Sequence, residues 1–430
     1  MNIAIIGAGA TGLTAGYELS KKGHHVTVYE AEDDVGGLAS TFTAGTQLLE
    51  KLYHHIFTND TYVTDLLQEL GLISKLQWVS PKSGLYINQK LYDFSTPKDL
   101  LMFKEIPFFE RIALGMLVLK SRFIKDWKSL EKITAKDWLI KNAGPNAYEK
   151  FWGPLMNSKF DLDAEQIPAV WLWNKFKLRG STRGSNTGKE MFGYLEGSFG
   201  ELYKALKTEI EKRNGKVLLS SPVERITLNK DKTIQITAPN GSASFQKVLF
   251  TLATGLLKQI MPELPASYIE KINKIKYKAN ICMVMGIQSS LSPYYWITIA
   301  EKESPFVLMI EHTNLMPAEP YKSGIIYLSR YLDADSSLYQ YPDSKIENLF
   351  LDYLEKMFPS FNRTDILWTK IFRSDFAQPV VCPDYSNVIP EHETPVPNLY
   401  IANMSQIYPE DRGQNYSIAL GRKIAELLNE

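Results

Sequence analysis

Apolar and polar positions change period several times along the chain, and each change marks an element. Asn2–Ile6 is a nearly continuous apolar run, as expected of a strand covered on both faces in a parallel sheet. Positions 13–22 then read as a helix and His25–Tyr29 as a second strand. Val63, Leu66, Leu67 and Leu70 repeat at helical spacing over 61–72, and Gly71 stops them. Strands and turns are predicted over 78–94, followed by a mostly helical block from Thr96-Pro97 to about residue 155. Thr134 and Asp137 form a capping-box-like start inside that block, and Gly144-Pro145 is a stop. An amphipathic helix over 202–213 ends at Asn214-Gly215, and strands are predicted at 216–219, 222–226, 234–237 and 247–252. Further on, strands are expected at 281–287, 306–311, 324–331 and 398–402. Helices are expected at 344–357 and from Gln414 onward.

The turn between the first strand and helix reads Gly7-Ala8-Gly9-Ala10-Thr11-Gly12. Gly7 permits the tight turn, Gly9 admits a close approach to a pyrophosphate, and Gly12 lets helix and strand pack closely. The helix start offers unpaired N–H groups to phosphates. Glu30 closes the second strand, where its carboxylate can accept ribose hydroxyls. Strand, turn, helix, second strand and acid in this order specify a dinucleotide site.

Gly36-Gly37 follows within one loop, and with it the chain resembles the FAD family that contains amine oxidases, protoporphyrinogen oxidase and UDP-galactopyranose mutase. The resemblance implies FAD as cofactor, with Gly36 and Gly37 continuing the pyrophosphate site and Ala31, Leu38, Ala39, Ser40 and Ala253 lining it. It implies a backbone contact from Val223 to adenine. Where relatives place Gly-Asp, this chain has Asn403-Met404, with Asn403 as a neutral substitute. Gln414, Asn415, Tyr416 and Ile418 match the helix start facing the flavin, whose positive end stabilises negative charge on the reduced ring. Asp411 and Tyr408 are candidates for the flavin or substrate edge, and Phe376-Ala377-Gln378-Pro379 resembles a loop leading into the site. In the mutase branch a histidine-containing stretch runs near the flavin, so His54 or His55 is expected there.

The fold implied is α/β: a Rossmann-like FAD-binding domain of the glutathione-reductase type, with a discontinuous second domain of helices plus antiparallel sheet. Residues 1–75, 200–265 and 365–430 are assigned to the FAD-binding domain. Residues 76–199 and 266–364 are assigned to a substrate domain with a helical insertion around 96–165. The leading function is FAD-dependent hydride abstraction from an organic substrate. The alternatives are a non-redox, mutase-like flavoenzyme acting on a nucleotide sugar and an FAD-stabilised scaffold.

Composition narrows the partners. The chain has 430 residues, 44% hydrophobic and 22% charged, with zero formal net charge. That suits a two- or three-domain globular protein and favours neither nucleic acid nor a charged membrane as a general partner. Two cysteines without a C-x-x-C pattern point to a reducing compartment and away from a cysteine-ligated metal. A functional strand at residue 2 leaves no room for a signal peptide, so a cytoplasmic location is expected, with a peripheral membrane position as the variant. Ile112 to Leu119 is apolar, flanked by Lys104, Arg111, Lys120, Arg122 and Lys125, and too short to span a bilayer. The expected reading is a buried helix of the second domain, with membrane-surface contact as its competitor. The aromatics Phe151, Trp152, Phe160, Trp171, Trp173 and Phe176 are expected to build core. Arg179 and Arg183, in a polar glycine-containing loop, are candidates for clamping a phosphate or carboxylate. The substrate is therefore expected to be a small molecule, apolar or phosphate-bearing. Lys276 and Lys278 are expected to be solvated.

Overall fold

A computed structural model describes residues 1–181 and 190–430, with the side chains of 179–181 left aside. Five parallel strands form the first sheet, in the spatial order Lys216–Leu218, His25–Tyr29, Asn2–Ile6, Lys247–Phe250, Leu399–Ile401. Its central strand is apolar because both faces are covered, Ile3 and Ile5 on the helix side and Ala4 and Ile6 toward the antiparallel strands 225–245, and Ile3, Ala4 and Ile5 are fully buried. The helix after that strand is Ala10–Lys21, three residues earlier than the pattern predicts. The second half of the glycine-rich turn is itself the first helical turn, and the Leu13 N–H donates to the Gly9 carbonyl at 2.9 Å. The C-terminal helix Gln414–Asn429 lies along this first helix. Gly421 allows the approach, since a Cβ there would sit 2.7 Å from the Thr11 carbonyl oxygen.

The second sheet has seven strands, in the order Ile366–Pro379, Tyr277–Ile287, Gly324–Leu332, Leu308–Glu311, Tyr294–Ile299, Lys82–Ile87, Lys90–Asp93. Two of these correct the sequence reading. Tyr294–Ile299 has no predicted counterpart. Ile366–Pro379 is a 14-residue edge strand hydrogen-bonded to Tyr277–Ile287, so 366–379 belongs with this sheet and not with the FAD-binding stretch that begins at 365. Strands 225–228, 234–238 and 241–245 form a separate antiparallel sheet beside the nucleotide-binding unit.

Helices Pro97–Met102, Phe108–Ser121, Ala135–Ala143, Gly153–Phe160 and Ala169–Ser181 make the helical block. Thr96 and Asp99 form the capping box, and Thr134 Oγ1 accepts the Asp137 N–H at 3.0 Å. The aromatic residues here are core, as expected: Phe151, Trp152, Phe160, Trp171, Trp173 and Phe176 are all buried in one cluster. The helix Phe108–Ser121 departs from its expected burial. Only Leu114, Leu117 and Ser121 are buried, while Phe109, Ile112, Met116 and Leu119 face outward.

Candidate active site

Main-chain atoms build the nucleotide end of the site. Gly7 sits at φ +107°, and a Cβ on Gly12 would lie 2.0 Å from the Gly7 carbonyl oxygen, so neither tolerates a side chain. Gly9 differs: a Cβ there would meet only the Gly37 Cα, at 4.0 Å. Gly9 and Gly36 are bridge partners, and the Gly36 N–H donates to the Ala8 carbonyl at 2.9 Å. The two glycine turns therefore pack main chain against main chain with no side chain between them.

Glu30 is buried beside them. Its Oε2 accepts the Ala8 N–H at 2.7 Å and its Oε1 the Glu32 N–H at 3.1 Å. A carboxylate has about four acceptor positions, so capacity for ribose hydroxyls remains. Ala31 is exposed, while Ala39 and Ser40 close the one-turn helix Gly37–Ala39 with Leu38 half-buried. Val223 is half-buried at the edge of the cluster that holds Ile226, Ile234 and Phe250, with its main-chain N–H and C=O in no hydrogen bond among the described residues. Ala253 is buried at the start of helix Thr254–Ile260.

The start of the last helix reaches the same place. Thr11 Oγ1 donates to the Ser417 carbonyl at 3.2 Å, which sets the two helix N-termini side by side. Gln414, Asn415 and Ile418 are buried and Tyr416 is half-buried. Gln414 Oε1 accepts the Tyr203 hydroxyl at 2.6 Å, and its buried Nε2 has no partner among the described residues. A Cβ on Gly413 would meet nothing within 4 Å. Two adjacent positive helix ends, a side-chain-free pair of glycine turns, a buried acid and an unpartnered amide donor form a donor set that fits a pyrophosphate-linked dinucleotide.

Other expected residues are placed differently. Asn403 is buried and fully engaged: Nδ2 donates to the Leu252 carbonyl at 2.8 Å and Oδ1 accepts from Ser405 N and Oγ. It caps its own turn and pins it to the neighbouring strand, with Met404 half-buried behind it. Tyr408 donates to Glu131 Oε1 at 2.6 Å, inside the helical block and away from the glycine turns. Asp411 is ion-paired to Lys159, at 3.4 Å, and to Lys175. Burial alone would raise its pKa, but the two ammonium groups hold it well below the usual carboxylate range. Arg179 and Arg183 lie outside the residues whose side chains are described.

His54 and His55 part as adjacent strand-like positions must. The His55 ring sits edge-on to Phe57, Phe192, Tyr295 and Trp296, with Nδ1 2.9 Å from the Tyr295 hydroxyl. His54 Nδ1 donates to the Leu52 carbonyl at 2.7 Å, which leaves Nε2 as the lone-pair nitrogen. Burial, and the charge of Arg412, push His54 down to about 4.

Arg412 was not singled out by the sequence reading. Its Nε donates to Gln378 Oε1 and its terminal nitrogen to the Tyr331 hydroxyl, both at 2.9 Å. It stands directly before the helix start at Gln414, yet its partners lie 34 and 81 positions away and no local spacing announces them. Lys278 was expected to be solvated. Its side chain is fully buried between Asp163 at 2.8 Å and Asp333 at 2.6 Å, whereas Lys276 is exposed.

Comparison with known proteins agrees with this geometry. A family model described as flavin containing amine oxidoreductase matches residues 10–410. Zeta-carotene desaturase of Synechocystis sp. is 21% identical over 456 residues, covering 94% of this chain and 92% of that one. An oxidoreductase from Methanosarcina mazei shares the fold with a TM-score of 0.78 at 17% identity, over 100% of both chains. Reduced UDP-galactopyranose mutase does so with a TM-score of 0.75 at 16% identity, over 100% of this chain and 95% of that one.

Proposed function

The chain belongs to the flavin-containing amine oxidoreductase family, an FAD-dependent oxidoreductase in kind, and we propose that it dehydrogenates a largely apolar organic substrate that is neutral or anionic. The observation that carries the redox reading is the side-chain-free contact of the glycine turns at Gly9, Gly36 and Gly37, flanked by two helix N-termini and Glu30. When bound there, FAD accepts the electron pair that leaves the substrate.

The chain's own residues divide the remaining work. The N–H groups at Gly9 and Gly37 and the start of helix Ala10–Lys21 hold the phosphates, and Glu30 accepts from the ribose. The start of helix Gln414–Asn429 directs its positive end toward developing negative charge. His54 remains uncharged above pH about 4, with Nε2 the unprotonated nitrogen and an acceptor for a hydrogen bond.

Charge supports the choice of substrate class. Lys159, Lys175 and Arg412 gather around the Asp411 carboxylate. Cations in this cluster disfavour an ammonium substrate beside them. The likeness to a zeta-carotene desaturase supports an apolar substrate in the same direction. Cys282 and Cys382 are free thiols, in keeping with a cytoplasmic location.

The test is anaerobic flavin spectroscopy on the FAD-loaded protein against polyprenyl hydrocarbons, polyprenyl phosphates, porphyrinogens, amines and nucleotide sugars. Bleaching by a neutral or anionic apolar compound is expected. Bleaching by amines alone overturns the substrate class. Turnover of a nucleotide sugar only after prior reduction indicates a mutase, and protein that cannot be loaded with FAD ends the redox reading.

A further inference from the structure

We propose that the outer face of helix Phe108–Ser121 docks on an anionic lipid bilayer, lying in the plane of the interface. Phe109, Ile112, Met116, Leu119 and Phe123 follow one another at spacings of three and four residues, which places them on a single stripe. Every one of them is exposed, Phe109 by 82% and Phe123 by 81%. The opposite side of the helix is already used: Leu114 and Leu117 are buried, and the Trp173 indole N–H donates to the Ser121 carbonyl at 2.8 Å. The stripe is thus a second apolar face with none of the described residues covering it.

The concentration is local. Of the fourteen large apolar side chains exposed among the described residues, eight lie between Leu101 and Phe123. A contiguous patch of this kind marks an interaction surface, where scattered single residues would not.

Charge selects the occupant. Exposed within 101–133 are Lys104, Lys120, Arg122, Lys125, Lys128 and Lys132, against the single exposed acid Asp126. The whole chain carries zero formal net charge, so this excess belongs to the patch. A two-fold pairing with another copy would set these cations against their own duplicates. An anionic membrane surface offers apolar depth for the stripe and opposite charge for its rim. Among the described residues no helix is long and apolar enough to cross a membrane, and a 14-residue helix spans only about 21 Å along its axis, which fits contact in the interface plane.

This inference does not depend on the substrate reading. Full-length, FAD-loaded protein is sedimented with sucrose-loaded vesicles of phosphatidylcholine alone or mixed with phosphatidylglycerol. Binding to the mixed vesicles is expected, at least tenfold stronger than to phosphatidylcholine and weakened severalfold by high salt. The double substitution Phe109→Glu/Phe123→Glu should lower it at least tenfold with FAD content unchanged. Leu228→Glu, an exposed leucine on the separate antiparallel sheet, should leave it unchanged. Failure of the unsubstituted protein to bind mixed vesicles, or undiminished binding by the double variant, overturns the proposal. So does a vesicle-free dimer that the double variant converts to monomer, which would make a second copy the occupant.

Discussion

Replacing Gly9 by alanine should stabilise the cofactor-free protein and destabilise the loaded one. Gly9 caps the first helix with φ −79° and ψ −177°, a conformation any residue adopts. The added Cβ would meet no protein atom closer than Gly37 Cα at 4.0 Å. Without cofactor, the substitution therefore restricts the unfolded chain without straining the folded one, a gain of about 0.4–1 kcal/mol. With cofactor, the methyl occupies the space a pyrophosphate needs to reach the main-chain N–H groups. Loss of one hydrogen bond to a charged group costs about 1.5–3 kcal/mol, or roughly 10- to 150-fold in affinity. At FAD one hundred times the unsubstituted dissociation constant, bound cofactor contributes about 2.7 kcal/mol, and a hundredfold weaker variant retains about 0.4 kcal/mol at the same concentration. Denaturant midpoints with and without FAD, paired with flavin titration, measure both signs. Equal FAD-dependent shifts in the two proteins would refute the assignment of the glycine turns. Gly12→Ala is the companion: its Cβ would lie 2.0 Å from the Gly7 carbonyl oxygen, so it should fail to fold with or without FAD.

Two charge predictions accompany it. Burial raises the Glu50 carboxyl from 4.5 to about 7 although Tyr194 and the Phe199 N–H bond to it. The folded state then holds the proton more tightly than the unfolded one. This contribution is fully present below pH 4.5 and declines by about 3 kcal/mol as pH rises through 7. Glu50→Gln should flatten that decline, and parallel stability curves for both proteins from pH 5 to 8 would contradict it. Asp411 shifts the opposite way, so its contribution is present above its ordinary titration range and is lost on acidification. Asp411→Asn leaves Lys159 and Lys175 without their carboxylate and should cost about 3 kcal/mol at neutral pH, measured by urea unfolding, with a smaller difference in acid.

The two ends of this molecule differ in how openly the sequence shows them. At the nucleotide end the ligand-facing atoms are main chain. Gly7, Gly12, Gly36 and Gly37 are dictated by backbone geometry and Gly9 by the approach of the cofactor, all at fixed spacing, and Glu30 follows at the end of the next strand. On the substrate side the groups are side chains drawn from distant segments. His54, Lys159, Tyr331, Gln378 and Arg412 share no period, and Tyr408 and Asp411 turn to Glu131 and to the lysines instead of the flavin edge. Asn403 fills the place of a ligand-binding acid while its amide serves its own loop. Local pattern cannot reveal a choice made by partners hundreds of residues away.

Periodicity has a second blind spot, which the edge strand and the exposed helix show from opposite sides. Ile366–Pro379 has only one strand beside it, so for most of its length its side chains are only partly buried and no clean alternation appears. The helix Phe108–Ser121 is apolar on two faces, with Leu114 and Leu117 beneath and Ile112 and Met116 above. A pattern apolar all round ordinarily means a buried helix, and that expectation fails here because the rest of the chain covers one face and leaves the other to solvent. Hydrophobic spacing shows that a face exists; only the packing of the remaining chain shows whether the molecule supplies its cover. Here none of the described residues supplies it, and the rim carries six exposed cations against one exposed acid, which suits an anionic surface.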